Sequence, residues 1–175
     1  TIPFVGSRKA TDSDSSWEPF GYLFSTDTYF GGVATEQHYS RDGLLNSKIY
    51  YIPESLKSVT VTGGSIVPYA FENCYMLTDI TLKKETTGIG DYAFANCTSL
   101  TTVSFPVCTS VGGSAFQDCD DLTSVSFPVC TSIGFYAFEN CYRLTSVSFP
   151  ACETIGGFAF YGCSSLTTAS FPVTT

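Results

Sequence analysis

Apolar and polar residues alternate in short stretches that return along the chain at a fixed interval. In one such stretch, Val125 and Phe127 alternate with Ser124 and Ser126. Because successive side chains of a strand point to opposite faces, this pattern predicts a short strand with its valine and phenylalanine turned inward. The two serines are then expected to form the outward side of the strand.

The positions after this strand predict a turn and a further buried segment. Pro128 ends the strand, because proline has no amide hydrogen to donate to a sheet. Cys130 and Ile133 are the next positions expected to point inward, and Gly134 makes a turn. Each unit is therefore predicted to fold back on itself after its strand.

A short helical turn is predicted for residues 136–141. Ala137 and Cys141 are four residues apart, and Phe138 and Cys141 are three apart, so all three can lie on the buried side of one turn. The predicted unit is thus a strand, a turn and a short helical or 3-10 segment.

The unit repeats without gaps, which indicates a solenoid. Three copies of 22 residues follow one another, preceded by copies of 21 and 23 residues and followed by a sixth that stops at its strand. A period in the low twenties is typical of arrays in which each unit buries its apolar face against its neighbours. We predict that residues 56–175 form such an array within one continuous domain. The copies begin at Leu56, Leu77, Leu100, Leu122, Leu144 and Leu166.

Residues 1–55 are predicted to be a distorted first repeat that carries an insertion. The segment 20–24 matches 133–138 with one residue fewer, and residues 49–52 alternate like a short strand. The insertion is rich in aromatic residues, and two roles remain open for it. It covers a flank of the array, or it contacts a ligand, since functional loops gather in such places. The candidate contacts are Trp17, Tyr29, Tyr39, Tyr50 and Tyr51.

Both ends of the sequence resemble the strand of a repeat. Residues 1–3 are similar to the end of the strand at 126–128, and residues 169–172 stop at the same point. We therefore expect a fragment of a longer array. Solenoids normally need capping units at their ends, so end-to-end association of two chains is an alternative that the sequence leaves open. The sequence does not determine the oligomeric state.

The charge of the chain argues against two classes of partner. The formal net charge is −8, whereas nucleic acids and anionic membranes favour clusters of lysine and arginine. The sequence contains no apolar run of about 18 residues, so we expect no membrane insertion. Charged residues make up only 14% of the chain, so the surface is expected to consist largely of Ser, Thr, Asn and Tyr.

The eight cysteines follow the spacing of the repeat and are predicted to be buried free thiols. Equivalent positions of adjacent coils lie about 4.8 Å apart, which is within the range that a disulfide bridges, so pairing of some of them remains an alternative. The spacing of zinc ligands is absent. One repeat position holds Cys74, Cys97, Cys119, Cys141 and Cys163, and the other holds Cys108, Cys130 and Cys152.

Little in the sequence supports catalysis. His38 is the single histidine, so a catalytic pair with a thiol or a carboxylate would have to use it. The acidic residues Asp118, Asp120 and Asp121 suggest a solvated surface, with a weak cation site as the alternative. We expect a protein that is not an enzyme and that has no cofactor or metal.

The second half of the unit carries a family resemblance. Four close copies, IGDYAFANCTSL, VGGSAFQDCDDL, IGFYAFENCYRL and IGGFAFYGCSSL, begin at residues 89, 111, 133 and 155. They resemble the BspA-like class of leucine-rich repeats, strongly over about residues 56–172 and loosely over 1–55. The resemblance implies an α/β solenoid, a right-handed coil with a parallel sheet on its concave side and short helical or 3-10 turns on its convex side. Such proteins are typically cell-surface or secreted molecules of bacteria and some parasitic protists, and they are implicated in adhesion.

The expected function is that of an extracellular binding or adhesion module. Its partners would be surface proteins or glycans of a host or of neighbouring cells, and the alternative is a structural spacer without a ligand of its own. The concave sheet is the candidate binding surface, although a row of aromatic residues on the convex side and the insertion are further candidates. The outward positions of the sheet are Ser58, Thr60, Thr62, Asp79, Thr81, Lys83, Thr102, Ser104, Ser124, Ser126, Ser146 and Ser148, followed by Thr168 and Ser170.

Overall fold

The chain forms a β-solenoid of about five coils, preceded by a β-hairpin. The computed structural model describes residues 20–172 except 25, 29, 42–43, 63 and 83–86. In chain order, the elements are a 3-10 helix at Phe20–Leu23, the hairpin strands β1 (Gly32–Arg41) and β2 (Leu44–Pro53), and the strands of the array, β3 (Ser58–Val61), β4 (Asp79–Leu82), β5 (Gly88–Ile89), β6 (Thr102–Ser104), β7 (Ser110–Val111), β8 (Ser124–Ser126), β9 (Ser132–Ile133), β10 (Ser146–Ser148), β11 (Thr154–Ile155) and β12 (Thr168–Ser170).

The strands of the array form two parallel sheets. The larger sheet has six strands in the order β12-β10-β8-β6-β4-β3, so each coil places its strand beside that of the preceding coil. In its centre, Val125 pairs with Val103 on one side and Val147 on the other. The predicted parallel sheet is therefore confirmed.

The smaller sheet was not anticipated by the sequence pattern. It has four strands in the order β11-β9-β7-β5, each only two residues long. In β5, β7 and β9 one residue of the strand is buried, as Ile133 is in β9. Two residues give too short an alternation to predict a strand. The segment after Cys130 is thus a second strand where only a buried position and a turn were expected.

The core consists of rows of equivalent side chains, one from each coil. The seven positions predicted to point inward in the fourth coil are all buried. In the longest aromatic row, Phe116 lies with its ring centroid 5.1 Å from that of Phe94 and 5.2 Å from that of Phe138. A second row contains Phe127, stacked at 5.2 Å on Phe149. Such stacks add aromatic contacts to the burial of apolar area.

The helical turns predicted for the side opposite the larger sheet are wrong. Among the described residues, the single helix is the short 3-10 segment before the hairpin, and residues 135–140 form consecutive turns. Tyr136 and Asn140 both have a φ of 57°, in the left-handed region that a right-handed helix does not contain. The spacing of Phe138 and Cys141 suits these turns as well as it suits a helix.

Hydrogen bonds between coils explain why turns replace the helix. The amide of Phe138 donates to the carbonyl of Ala159 in the next coil at 2.8 Å, and the amide of Asn140 donates to that of Tyr161 at 2.7 Å. The amide of Glu139, between them, donates within its own turn to Tyr136 at 3.0 Å. Alternate amides thus join adjacent coils, whereas a helix would keep them all within one coil.

A row of glycines allows the coils to approach closely on this side. A Cβ atom added to Gly112 would lie 2.6 Å from the backbone of Gly90 and Asp91, and one added to Gly134 would lie 2.5 Å from the backbone of Gly112. Such distances are too short for any side chain. The glycines are therefore needed because the backbone of the preceding coil occupies the place of a Cβ atom.

The cysteines are free thiols, as predicted, and all except Cys163 are buried. The two rows of cysteines make different hydrogen bonds. Cys141 Sγ donates to the carbonyl of Phe116 in the preceding coil at 3.2 Å, whereas Cys130 Sγ donates within its own coil to the carbonyl of Ser132 at 3.1 Å. Burial raises the pKa of Cys97 and of Cys108 to about 12.

Candidate functional site

The hairpin covers the first coil of the array at its turn side. Its strands pair antiparallel over ten residues each, with Thr35 opposite Tyr50 and Gln37 opposite Lys48. Thr35 and Gln37 are fully buried although both are polar. Buried polar side chains normally have hydrogen-bond partners. The partners of the β1 side chains therefore show how the hairpin is attached to the first coil.

Hydrogen bonds donated from both sides attach β1 to the first coil. Gln37 Nε2 donates to the carbonyl of Glu72 at 2.7 Å, and the amide of His38 donates to Glu72 Oε2 at 3.3 Å. Asn73 Nδ2 donates to the carbonyl of Glu36 at 2.6 Å. Within the array, Asn96 Nδ2 likewise donates to the coil before its own, to the Oδ1 atom of Asn73. The backbone of β1 therefore takes the place of the coil that would precede the first one.

Phe20, in the 3-10 helix that precedes the hairpin, contacts the first coil as the phenylalanine of one coil contacts the next coil of the array. Its amide donates to the carbonyl of Ala70 at 2.7 Å, as the amide of Phe71 does to that of Ala93 at the same distance. Its ring lies 5.0 Å from that of Phe71. Phe20 thus has the position of Phe138 in the repeat. The sequence match of 20–24 with 133–138 instead aligned Phe20 with Ile133, because a comparison of sequences does not include the hydrogen bonds between coils.

Glu72 and His38 form a partly buried hydrogen bond between the first coil and the hairpin. Glu72 is 7% exposed, and its Oε2 atom lies 2.7 Å from His38 Nδ1. Burial raises the pKa of the Glu72 carboxyl above its ordinary value of 4.5, and the nearby Glu36 raises it further, while the contacts with His38 oppose the shift. The His38 ring also packs at 5.0 Å against that of Tyr69.

Glu72→Gln is expected to remove part of the pH dependence of stability. Because the folded-state pKa of Glu72 is raised, the folded chain binds this proton more tightly than the unfolded chain does. Its contribution to stability is therefore complete below the ordinary pKa of 4.5 and is lost as the pH rises through the raised value. The free energy of unfolding, measured in urea between pH 4 and pH 8, should fall less steeply with pH in the variant.

Glu153→Gln provides the control for this measurement, since Glu153 is exposed and lies in another coil. Its profile should run parallel to that of the wild type. A Glu72→Gln profile that is equally steep would show that Glu72 does not contribute to the pH dependence.

The larger sheet brings the candidate binding residues of the sequence analysis together on one side. In β8, Ser124 and Ser126 face outward on either side of the buried Val125, and Ser146 and Ser148 of β10 pair with them directly. We call this outward side of the six strands the sheet face. Lys83 lies outside the described residues. The other members are Ser58, Thr60, Asp79, Thr81, Thr102, Ser104, Thr168 and Ser170 on the strands, with Thr62 directly after β3.

The structure describes three of the five aromatic candidates of the insertion. Trp17 and Tyr29 lie outside the described residues. Tyr39 is half-buried on β1, and Tyr51 is half-buried on β2. Tyr50 is only 4% exposed, because it lies on the side of β2 that also carries the buried Ile52. Of the two roles left open for the insertion, covering the flank of the array is the one that its hydrogen bonds support.

An open cavity lies where the base of the hairpin meets the first coil. Its volume is about 600 Å³. Phe30, fully exposed, lines it on the hairpin side, and Lys57, directly before β3, lines it beside the sheet face. This cavity was not predicted from the sequence, because only the folded hairpin brings Phe30 and Lys57 together.

His38 lies beside a carboxylate, one of the two kinds of partner that were considered for it from the sequence. Its Nδ1 atom is engaged with Glu72, and burial raises the pKa of the nearest thiol in the hairpin contact, that of Cys74, well above its ordinary value. Cys163 differs from the other thiols, because a hydrogen bond with Cys141 lowers its pKa. It lies at the opposite end of the array from His38.

Two further features can be stated for the part of the chain that the structure describes. No three or more His, Cys, Asp or Glu side chains are grouped so that they could hold a metal ion. No helix there has the length and apolar character that crossing a membrane requires.

The repeat is matched by a family model. The model of the BspA-type leucine-rich repeat region matches six copies within residues 64–175. The chain belongs to this family. Leucine-rich repeat proteins of the BspA type are typically not enzymes, and their repeats are consistent with a protein-interaction or a structural module. No curated protein sequence matches the chain.

Solved structures of bacterial leucine-rich repeat proteins resemble the BspA-type array. A leucine-rich repeat protein of T. pallidum is 26% identical with a TM-score of 0.63, and the match covers 68% of this chain and 60% of that one. One from Bacteroides ovatus is 26% identical with a TM-score of 0.53 over 69% of this chain and 36% of that one. A leucine-rich cell surface protein of Faecalibacterium prausnitzii shares the fold, with 23% identity and a TM-score of 0.64 over 79% and 40% of the two chains. The BspA-type array thus spans 36% to 60% of the length of these three proteins.

Proposed function

We propose that the chain is a non-enzymatic protein-binding or adhesion module at the outside of a bacterial cell. Its partners are surface proteins or glycans of a host or of neighbouring cells, and they contact the sheet face. The family, and the resemblance to the leucine-rich cell surface protein of F. prausnitzii, support the location. One observation carries the choice of surface, namely that six strands in uninterrupted register present one continuous outward side.

The composition of the sheet face suits weak contacts that are repeated many times. Apart from Asp79, the outward residues on its described strands are serines and threonines, and such small side chains rarely dominate the energy of an interface. Several weak contacts made at once raise the overall affinity steeply, provided that the partner reaches them together. A long, regular array offers this arrangement.

Arginines on the sheet face are expected to weaken binding. The chain would be tested against matrix proteins, cells and glycan arrays, beside a variant with Ser104→Arg, Ser126→Arg and Ser148→Arg. Three long charged side chains in the contact should lower the affinity about tenfold or more.

A variant of equal charge provides the control for these arginines. Tyr142→Arg, Ser164→Arg and Ser165→Arg alter exposed residues on the turn side and should leave binding intact. Equal binding by the sheet-face variant and the wild type would contradict the proposed surface.

A structural spacer is the second candidate function. Its support is that the rows of phenylalanines and the bonds between coils hold the array together without any ligand. For a spacer, deletion of one complete coil, residues 122–143, should shorten the array and leave cell adhesion unchanged. Loss of adhesion in a deletion variant that still folds, as shown by circular dichroism, would exclude this function.

A further inference from the structure

Four exposed aromatic rings cluster on the turn side of the fourth and fifth coils. Phe135 is 65% exposed, Phe158 63%, Tyr161 59% and Tyr136 38%. Tyr136 and Phe158 stack at 5.3 Å, and Phe158 meets Tyr161 edge-on at 6.1 Å. Phe135 lies over Gly157, since a Cβ atom there would lie 3.4 Å from its ring. We call these four residues the aromatic patch. Contiguous exposed aromatic surface of this kind marks interaction sites.

The fold does not require these rings. In the second and third coils, the position of Phe135 is held by Asp91 and Gly113, and the position of Tyr161 is held by Ala95 and Gln117. The core of those coils is nevertheless complete. Phe135 and Tyr161 are therefore additions to two coils, whereas Tyr136 and Phe158 continue a position that Tyr69 and Tyr92 hold in the first two coils.

The backbone also gives no reason for two of the rings. Tyr136 and Phe158 have φ values of 57° and 60°, in a region that glycine adopts without strain and that is unfavourable for bulky residues. Ser114 has the same conformation in the third coil, with a φ of 52°. A serine thus satisfies the turn, and the aromatic rings are held in a strained position where much of their surface faces solvent.

The charges beside the aromatic patch determine what it would bind. Glu139 occupies the same row as Tyr161, one coil before it, and is held in place by a hydrogen bond from Gln117 Nε2 at 2.8 Å. The preceding coil adds Asp118, whose Oδ1 atom accepts from Asn140 at 2.9 Å. The single positive side chain near them in the described coils, Arg143, is paired with Asp121 at 2.9 Å. The surroundings of the patch are thus negative, as is the whole chain.

We propose that the aromatic patch binds an arginine-rich segment of a partner polypeptide. Guanidinium groups stack on aromatic faces and are attracted by the ring electrons, and Glu139 supplies the opposite charge. An acidic partner would be repelled by a chain of net charge −8. This inference rests on the proposed binding role of the module, but it uses a surface separate from the sheet face.

A synthetic peptide of five Arg-Gly pairs tests the proposal. Fluorescence anisotropy at low salt should show saturable binding of this peptide and none of a Glu-Gly peptide of equal length. The double variant Phe135→Ala and Phe158→Ala should weaken binding about tenfold, because each ring contributes one cation–π contact. Glu139→Gln should weaken it by a smaller factor and reduce its dependence on salt.

A matched double variant separates the aromatic patch from the overall charge of the chain. Val129→Ala and Tyr142→Ala remove two exposed apolar side chains outside the patch and should leave the affinity unchanged. No saturable binding, or equal affinity of the two double variants, would overturn the proposal. Thermal unfolding of each variant shows that it is folded. A failure to find a partner for the sheet face leaves this measurement unaffected, so the two proposals fail independently.

Discussion

Replacing Gly112 by alanine is expected to destabilise the array by about 3 kcal/mol, close to the largest cost of forcing atoms into a packed interior. The added methyl group would lie 2.6 Å from the backbone of Gly90 and Asp91. Backbone atoms cannot turn aside as a flexible side chain can, so the second and third coils would have to separate. Chemical denaturation followed by circular dichroism measures the change.

The neighbouring glycine gives a control of the same chemistry. A Cβ atom on Gly113 would lie 3.4 Å from the nearest atom, the carbonyl oxygen of Phe135, which is an ordinary contact. Gly113→Ala should therefore change the free energy of unfolding by less than about 1 kcal/mol. Similar losses in the two variants would show that contact between coils is not the reason for the glycine row. Val67 holds the corresponding position in the first coil, which packs against the hairpin.

Phe116→Ala is expected to cost about 3–5 kcal/mol, the usual range for removing a buried aromatic side chain. Phe116 is fully buried and lies between Phe94 and Phe138 in the longest row. Since each coil is stabilised mainly by its two neighbours, the loss also weakens the coupling between the two halves of the array. Unfolding monitored by circular dichroism should then become less cooperative as well as occurring at lower denaturant concentration.

Phe135→Ala removes the same side chain from the surface of the next coil. Because Phe135 is 65% exposed, the change should cost less than about 1 kcal/mol. A cost for Phe116→Ala as small as that for Phe135→Ala would contradict the role assigned to the phenylalanine row.

The repeated core was predictable from the sequence because its signal is repeated in every coil. Val125 and Phe127 alternate with serines, and the same alternation in the copies before and after places all the strands side by side. Parallel pairing in register then follows, since equal coils bring equal residues together. The family was recognisable from the motif after the strand for the same reason.

Bonds between coils could not be read from the spacing within one unit. The positions of Ala137, Phe138 and Cys141 fit a helical turn, yet the amide of Phe138 and the thiol of Cys141 bond to other coils. The left-handed conformation of Asn140 was indicated only by residue type, since Asn, Asp or Gly stands at this position in every coil. The place of Phe20 was missed likewise. It is fixed by its bond to Ala70, which belongs to a segment 50 residues later in the chain.

The attachment of the hairpin also depends on tertiary contacts. Gln37 and Glu72 are ordinary surface residue types, and only their burial against each other distinguishes them. The sequence indicated an aromatic insertion with a short strand, and β2 contains that strand. It did not indicate that polar side chains of β1 would contact the first coil.

The buried thiols allow the local opening of individual coils to be measured by chemical labelling. Each of the first two coils carries one cysteine, at Cys74 and Cys97, and each of the next three carries two. Reaction with an alkylating reagent requires the thiolate, which burial disfavours, so every cysteine except the partly exposed Cys163 reacts quickly only when its coil comes apart. Mass spectrometry of a briefly labelled sample would therefore give the order in which coils detach, without introducing any probe into the chain.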